Sequence, residues 1–241
     1  MKRIIKMKKM IVFLAICASL TANATQDTVK TAQDTIKIEY QWKEGDSDTY
    51  QYKMSAVTAM GDFVMGMKVA QKVTKVYENG DADVLFSSSE TKITVNGQEM
   101  PGGPQGARSY TIRFNKQGVP VGETQQGGNF AGMFRYIRIL SDKPLKVGES
   151  INVDYTNPQN TKNTVKGTIT LESIEKGMGK FISKFDITTP QTEKPLKLVM
   201  TSWIDVATSK LEKAEGTISN LPSSSAGQVD AIQFVVERIK T

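Results

Sequence analysis

The sequence predicts a mainly β protein: a curved antiparallel sheet or half-barrel of roughly 10–12 strands with one amphipathic helix. Three observations predict it. Apolar residues alternate with polar ones from Asp34 almost to the last residue. Glycine, asparagine and proline interrupt that alternation at short intervals, as turns do. One segment alone changes period: Phe130, Met133, Phe134, Ile137 and Leu140 recur at helical spacing.

The elements follow in order. Residues 1–24 read as a secretory signal peptide: Lys2, Arg3, Lys6, Lys8 and Lys9, then the apolar run Met10–Leu20, then an Ala22-Asn23-Ala24 cleavage site. The apolar run is shorter than the roughly 20 residues that span a bilayer, and no later stretch is long and apolar enough, so no integral membrane span is expected. Cys17, the only cysteine, lies in this run. A lipobox wants a small residue before its cysteine, and Ile16 is large, so cleavage after Ala24 without lipidation is the expectation. Residues 25–33 are polar and aperiodic, a tether. Residues 34–241 are expected to form one β domain.

In that domain Ile36, Ile38, Tyr40 and Trp42 mark a half-buried strand, and Glu44–Ser47 a turn. Tyr50, Tyr52, Met54 and Ala56 line the next strand, and Phe63, Met65, Met67 and Val69 another. Asn79-Gly80 is a hairpin signal of the type I′ kind, which needs positive φ at both central residues; Asn96-Gly97 is a second turn. Strands follow at Tyr110–Phe114, Ser150–Tyr155, Val165–Ile174, Phe181–Ile187, Leu196–Ile204, Leu211–Ile218 and Val229–Ile239. The helix is expected over about 129–140, with Asn129 as N-cap, Pro144 stopping its continuation, and Arg135 and Arg138 opposite its apolar stripe, where they could grip an anionic head group but are expected to form a solvated face. A weak internal echo accompanies this: Glu44-Gly45-Asp46-Ser47 recurs as Val147-Gly148-Glu149-Ser150, and Val73–Gly80 loosely as Leu171–Gly177. It suggests two related halves, 34–128 and 145–241, flanking the helix.

Composition narrows the chemistry. The chain has no histidine, which removes Ser-His-Asp and Cys-His nucleophile systems and histidine-containing zinc sites. Its net charge of +6 belongs to the leader, because residues 25–241 hold 26 basic and 25 acidic residues. With no basic cluster, nucleic-acid binding has no support. Asn79, Asp81, Asp83 and Glu90 occupy calcium-loop positions, but Val84 stands where the loop needs glycine. Met54, Met60, Met65 and Met67 are soft ligands that suit Cu(I), yet Met65 and Met67 share parity with Phe63 and Val69, as core residues do. Ser89–Lys92 and Ser173–Lys176 match Ser-x-x-Lys, but lack the partner motifs and helical context of the enzymes that use it. Gly102-Gly103 and Gly127-Gly128 lack the Gly-Lys-Ser/Thr of a phosphate loop. No cofactor and no enzymatic activity are therefore expected.

The segments Tyr40-Gln-Trp-Lys-Glu-Gly-Asp46, Val73-Thr-Lys-Val76 with Asn79–Val84, and Leu140-Ser-Asp-Lys-Pro-Leu-Lys-Val-Gly-Glu-Ser150 resemble those of a family of uncharacterised exported bacterial β-rich proteins. Members show a WKxGD-type start and an LPDKPVKVGDSW-type segment; here Ser141 replaces the first proline and Ile151 the tryptophan. The resemblance implies export and a β fold, and transfers no catalytic or binding residue. Lipoprotein-carrier half-barrels of the bacterial envelope are a more distant, architectural likeness.

The functional expectation is a periplasmic or secreted, non-enzymatic binding module. It would hold a lipid or other apolar or amphipathic ligand between sheet and helix, against Phe130, Met133, Phe134, Ile137, Met65, Met67 and Trp42. The alternative is a structural component of the envelope that contacts another protein and holds no small ligand. An outer-membrane barrel is disfavoured, since the chain ends Ile239-Lys240-Thr241 rather than in an aromatic residue and shows little sign of aromatic girdles.

Overall fold

The computed structural model describes residues 35–100, 108–121, 135–157, 161–190, 193–221 and 229–240. Among these are thirteen strands: β1 (Thr35–Ile36), β2 (Ser47–Thr58), β3 (Gly61–Val76), β4 (Ala82–Val95), β5 (Gln98–Glu99), β6 (Arg108–Phe114), β7 (Leu145–Lys146), β8 (Ser150–Thr156), β9 (Thr164–Glu175), β10 (Met178–Thr188), β11 (Leu196–Asp205), β12 (Leu211–Ser219) and β13 (Ala231–Ile239). Eleven form one antiparallel sheet in the order β5-β4-β3-β2-β13-β12-β11-β10-β9-β8, with β6 paired to the first half of β4. The period-two pattern is the cause: one row of side chains per strand is buried and the other is left nearer water. In β10 the buried row is Gly179, Phe181, Ser183, Phe185 and Ile187.

The sheet is not closed. Its edges are β8 on one side and β5 with β6 on the other. Tyr155 of β8 donates its hydroxyl to the carbonyl of Pro120 at 2.9 Å, and Pro120 bridges Phe114 at the end of β6. The sheet thus curls until a side chain, and no ladder, ties its two edges.

The echo in the sequence corresponds to one hydrogen-bonded corner formed twice. Gly45 N–H donates to the Val73 carbonyl and Val73 N–H returns a bond to Asp46; Gly148 N–H donates to Leu171 and Leu171 N–H returns one to Glu149. One residue past each corner the ladder slips, leaving Thr74 and Glu172 unpaired as bulges. The two hairpin signals differ. Asn96 and Gly97 both take positive φ, as a type I′ turn requires, but at Asn79-Gly80 only Gly80 does. There Gly80 N–H bonds Tyr77 and Tyr77 N–H bonds Asp81, a three-residue loop rather than the expected two-residue one.

Two segments outside the large sheet carry the site. In the first, Ile36, Ile38 and Tyr40 are buried in alternation, as expected of a strand, yet only Thr35–Ile36 is laddered, against β7. Beyond it the ladder stops, and Tyr40 N–H bonds the Lys116 carbonyl at 2.8 Å. In the second, the helix expected over 129–140 is, among described residues, one 3₁₀ turn at Arg135–Arg138. Its continuation is not helical because Leu140 N–H bonds the Gln117 carbonyl at 2.8 Å instead of a carbonyl one turn back. Tyr136 to Ser141 are all buried, so this stretch has no solvent face. Phe130, Met133 and Phe134 lie outside the described residues.

Candidate functional site

Arg138 is the centre of the site, and it corrects the sequence reading. Placed by helical spacing on the solvent side, it is 5% exposed. Its carbonyl packs against Gly118, whose φ of +70° makes the turn after β6 possible. Its guanidinium enters a group of aromatic residues, 5.5 Å from the ring centre of Tyr50, 5.9 Å from Tyr40 and 6.0 Å from Phe86. It donates to Gln71 Oε1, and Gln71 Nε2 donates to the Tyr52 hydroxyl at 3.4 Å, which fixes the amide with its oxygen toward the cation. The Tyr40 hydroxyl feels the Arg138 charge but is buried without a hydrogen bond of good geometry.

Burial pushes the phenols of Tyr50 and Tyr52 far above their ordinary pKa, and Arg138 only partly offsets it. They are neutral at pH 7, so they do not neutralise the guanidinium. Among the described residues no ion pair forms at Arg138. Asp48 faces the same cleft, but Arg238 holds it at 2.6 Å and Lys210 at 3.2 Å. Arg238 also bonds Glu212 at 2.7 Å, and Glu212 is the unpaired residue of a bulge in β12. Burial works against the Arg238 charge, but its bonds to Glu212 and Asp48 outweigh that and raise its pKa. This network stitches β2, β12 and β13 beside the cleft.

The cleft has a volume of about 50 Å³. Arg138, Tyr40, Tyr50 and Gln71 line it together with Trp42, Lys43, Asp46, Asp48, Thr208 and Lys210. Trp42 stacks on Tyr40 with ring centres 4.6 Å apart and bonds the Asn115 carbonyl through its indole N–H.

Of the four described residues expected to bind ligand, Trp42, Met65, Met67 and Ile137, Trp42 lines the cleft. Ile137 is buried in the core beside Arg138 in sequence. Met65 and Met67 sit on β3 opposite Met54 and Tyr52, Met65 in the core and Met67 packed against it. Reading the sequence missed Tyr40, Tyr50, Gln71 and the buried state of Arg138. A signal was present: Gln71 shares parity with Val69 and Val73, so a polar side chain was due to face the core.

The other motifs resolve into local structure. Asp83 pairs with Arg113 at 2.8 Å and accepts from Tyr77, while Glu90 pairs with Lys68, so the calcium-loop residues do not converge. Among described residues no three of His, Cys, Asp and Glu gather as metal ligands. Ser89 and Lys92 both lie on β4, and Ser173 on β9. No helix among the described residues is long and apolar enough to cross a membrane.

No protein-family model and no curated protein matches the chain. Among solved structures, a Bacteroides fragilis protein described as exported and as having a YmcC-like fold aligns over 85% of this chain and 99% of its own. Identity is 13% and the TM-score 0.30. An N-terminal dehydratase from the difficidin assembly line aligns over 82% and 80%, at 11% identity and a TM-score of 0.13. At these scores neither likeness bears on what this chain does.

Proposed function

We propose that the chain is an exported, non-enzymatic binding module of the bacterial envelope that takes an amphipathic ligand by its charged end. The observation that carries this is the Arg138 guanidinium, buried at the cleft with no carboxylate in ion-pair contact among the described residues; Asp48 acts on it only through its charge. A buried, unpaired charge is costly, and an apolar side chain of similar volume would be cheaper there. A cation retained under such conditions fits a role in recognition. The cleft is too small to enclose an acyl chain, so the apolar part of the ligand would rest outside it. The leader at residues 1–24 supports export.

The test is mass spectrometry of protein exported by a bacterial host. The chain should begin at Thr25 with no lipid on Cys17, and under native conditions a fraction should carry a small molecule that the Arg138→Met variant loses. A chain that never carries ligand points to the second reading, an envelope component that contacts another protein. The filled core favours that reading: Ala82, Phe114, Leu171, Leu198, Ala214 and Val236 are each 0% exposed.

A further inference from the structure

The chemical class of the ligand's charged end follows from the charges around the cleft, and it rests on the binding reading above. We infer that the cleft takes a carboxylate. Arg138, Lys43 and Lys210 bring three positive charges to its lining, and Asp46 and Asp48 two negative ones. The lining carries a net single positive charge; Asp48 is already held by Lys210 and Arg238, whereas the buried Arg138 guanidinium has no ion pair among the described residues. A carboxylate cancels it with a single negative charge. A phosphate monoester carries roughly −1.5 to −2 at neutral pH and would face Asp46 and Asp48 with an excess.

Geometry agrees with charge. A guanidinium offers five N–H donors in a planar fork that matches the two oxygens of a carboxylate. At Arg138 one donor is used by Gln71. The Tyr40 hydroxyl, buried and without a hydrogen bond of good geometry among the described residues, is a further donor in the same lining. Gln71 is itself held by Tyr52, so the floor is ordered before a ligand arrives. The stacked pair Tyr40 and Trp42 lines the cleft beside it and supplies apolar ring surface for the first methylenes of an acid. The volume of about 50 Å³ admits a group of a few heavy atoms.

The chain from Thr25 to Thr241 is titrated with sodium acetate, sodium octanoate and inorganic phosphate at constant ionic strength and pH 7. The indole N–H resonance of Trp42, bonded to Asn115, serves as the reporter. Acetate and octanoate should each move it saturably and phosphate should not. Octanoate binding tenfold tighter than acetate identifies the carboxylate of an amphiphile; equal affinities identify a free small acid. Arg138→Met should weaken either acid at least tenfold, and Tyr40→Phe by a few-fold. If Arg138→Met does not fold, the wild-type titrations and Tyr40→Phe still decide. Saturation by phosphate without acetate or octanoate overturns the carboxylate assignment and leaves the binding reading standing. No saturation by any of the three overturns both.

Discussion

Gly118 holds the two halves of the site together, and replacing it measures how tightly. Its φ is +70°, and a Cβ placed on it would lie 2.2 Å from the Arg138 carbonyl oxygen and 2.6 Å from Tyr40 Cε2. The oxygen is backbone in a fully buried stretch, so it cannot swing aside as a flexible side chain would. Gly118→Ala therefore adds two costs. The left-handed conformation costs an alanine about 1–2 kcal/mol. Forcing a methyl into a packed contact costs about 1–3 kcal/mol more. Gly97→Ala separates them: Gly97 has φ +78°, but a Cβ there meets nothing within 4 Å. Gly118→Ala should thus be less stable than Gly97→Ala by about 2 kcal/mol. With a urea slope of about 2 kcal/mol per molar, its unfolding midpoint should fall about 1 M below that of Gly97→Ala. The Trp42 indole resonance should also move in Gly118→Ala and stay in place in Gly97→Ala. Equal midpoints for the two variants would refute the close approach of the Gly118 turn to Arg138 and Tyr40.

Three further outcomes are expected. Burial raises the Tyr50 and Tyr52 pKa values, so their contribution to stability is full below the unfolded value of about 10 and is lost as pH rises above it. Absorbance at 295 nm should show these two phenols ionising only with alkaline unfolding; free titration near pH 10 would contradict their burial. Backbone N–H donation from Thr208 and Ala207 lowers the Asp205 pKa, so its contribution is present above about pH 4 and disappears as pH falls further. Asp205→Asn should therefore weaken the acid dependence of the urea midpoint, and an unchanged slope would count against the turn. Tyr155→Phe removes the bond that ties the sheet edges and should cost about 0.5–1.5 kcal/mol, with hydrogen exchange in β8 accelerating more than in β11. Uniform exchange in both strands would show that the tie does not hold the edge.

The parts of the fold that were legible depend on neighbours in sequence. Phe181, Phe185 and Ile187 lie at alternate positions, and any sheet that buries one of them buries the others. Asn96-Gly97 was readable because turn chemistry is local. Asn79-Gly80 looked the same, yet its loop closes one residue wider, from Tyr77 to Asp81. The helix was misread over its described part for a related reason. Ile137 and Leu140 fit a helical stripe, but that spacing says nothing of what approaches the other side. Here the turn at Gln117-Gly118 takes the Leu140 N–H, and the tyrosines take Arg138.

The sequence by itself determined the long strands of the large sheet, most of their boundaries and which face of each is apolar, because a period of two is a property of the pleated backbone. It also determined the chemistry closed to the chain, since absent histidines cannot be supplied by folding. Only the tertiary structure decided the site. Tyr40, Tyr50, Gln71 and Arg138 come from an inner segment, two neighbouring strands and a 3₁₀ turn. An arginine reads as a surface residue in any local window, because water is its cheapest environment. Its burial became visible only when Tyr40, Tyr50 and Gln71, 67 to 98 positions away, closed around it.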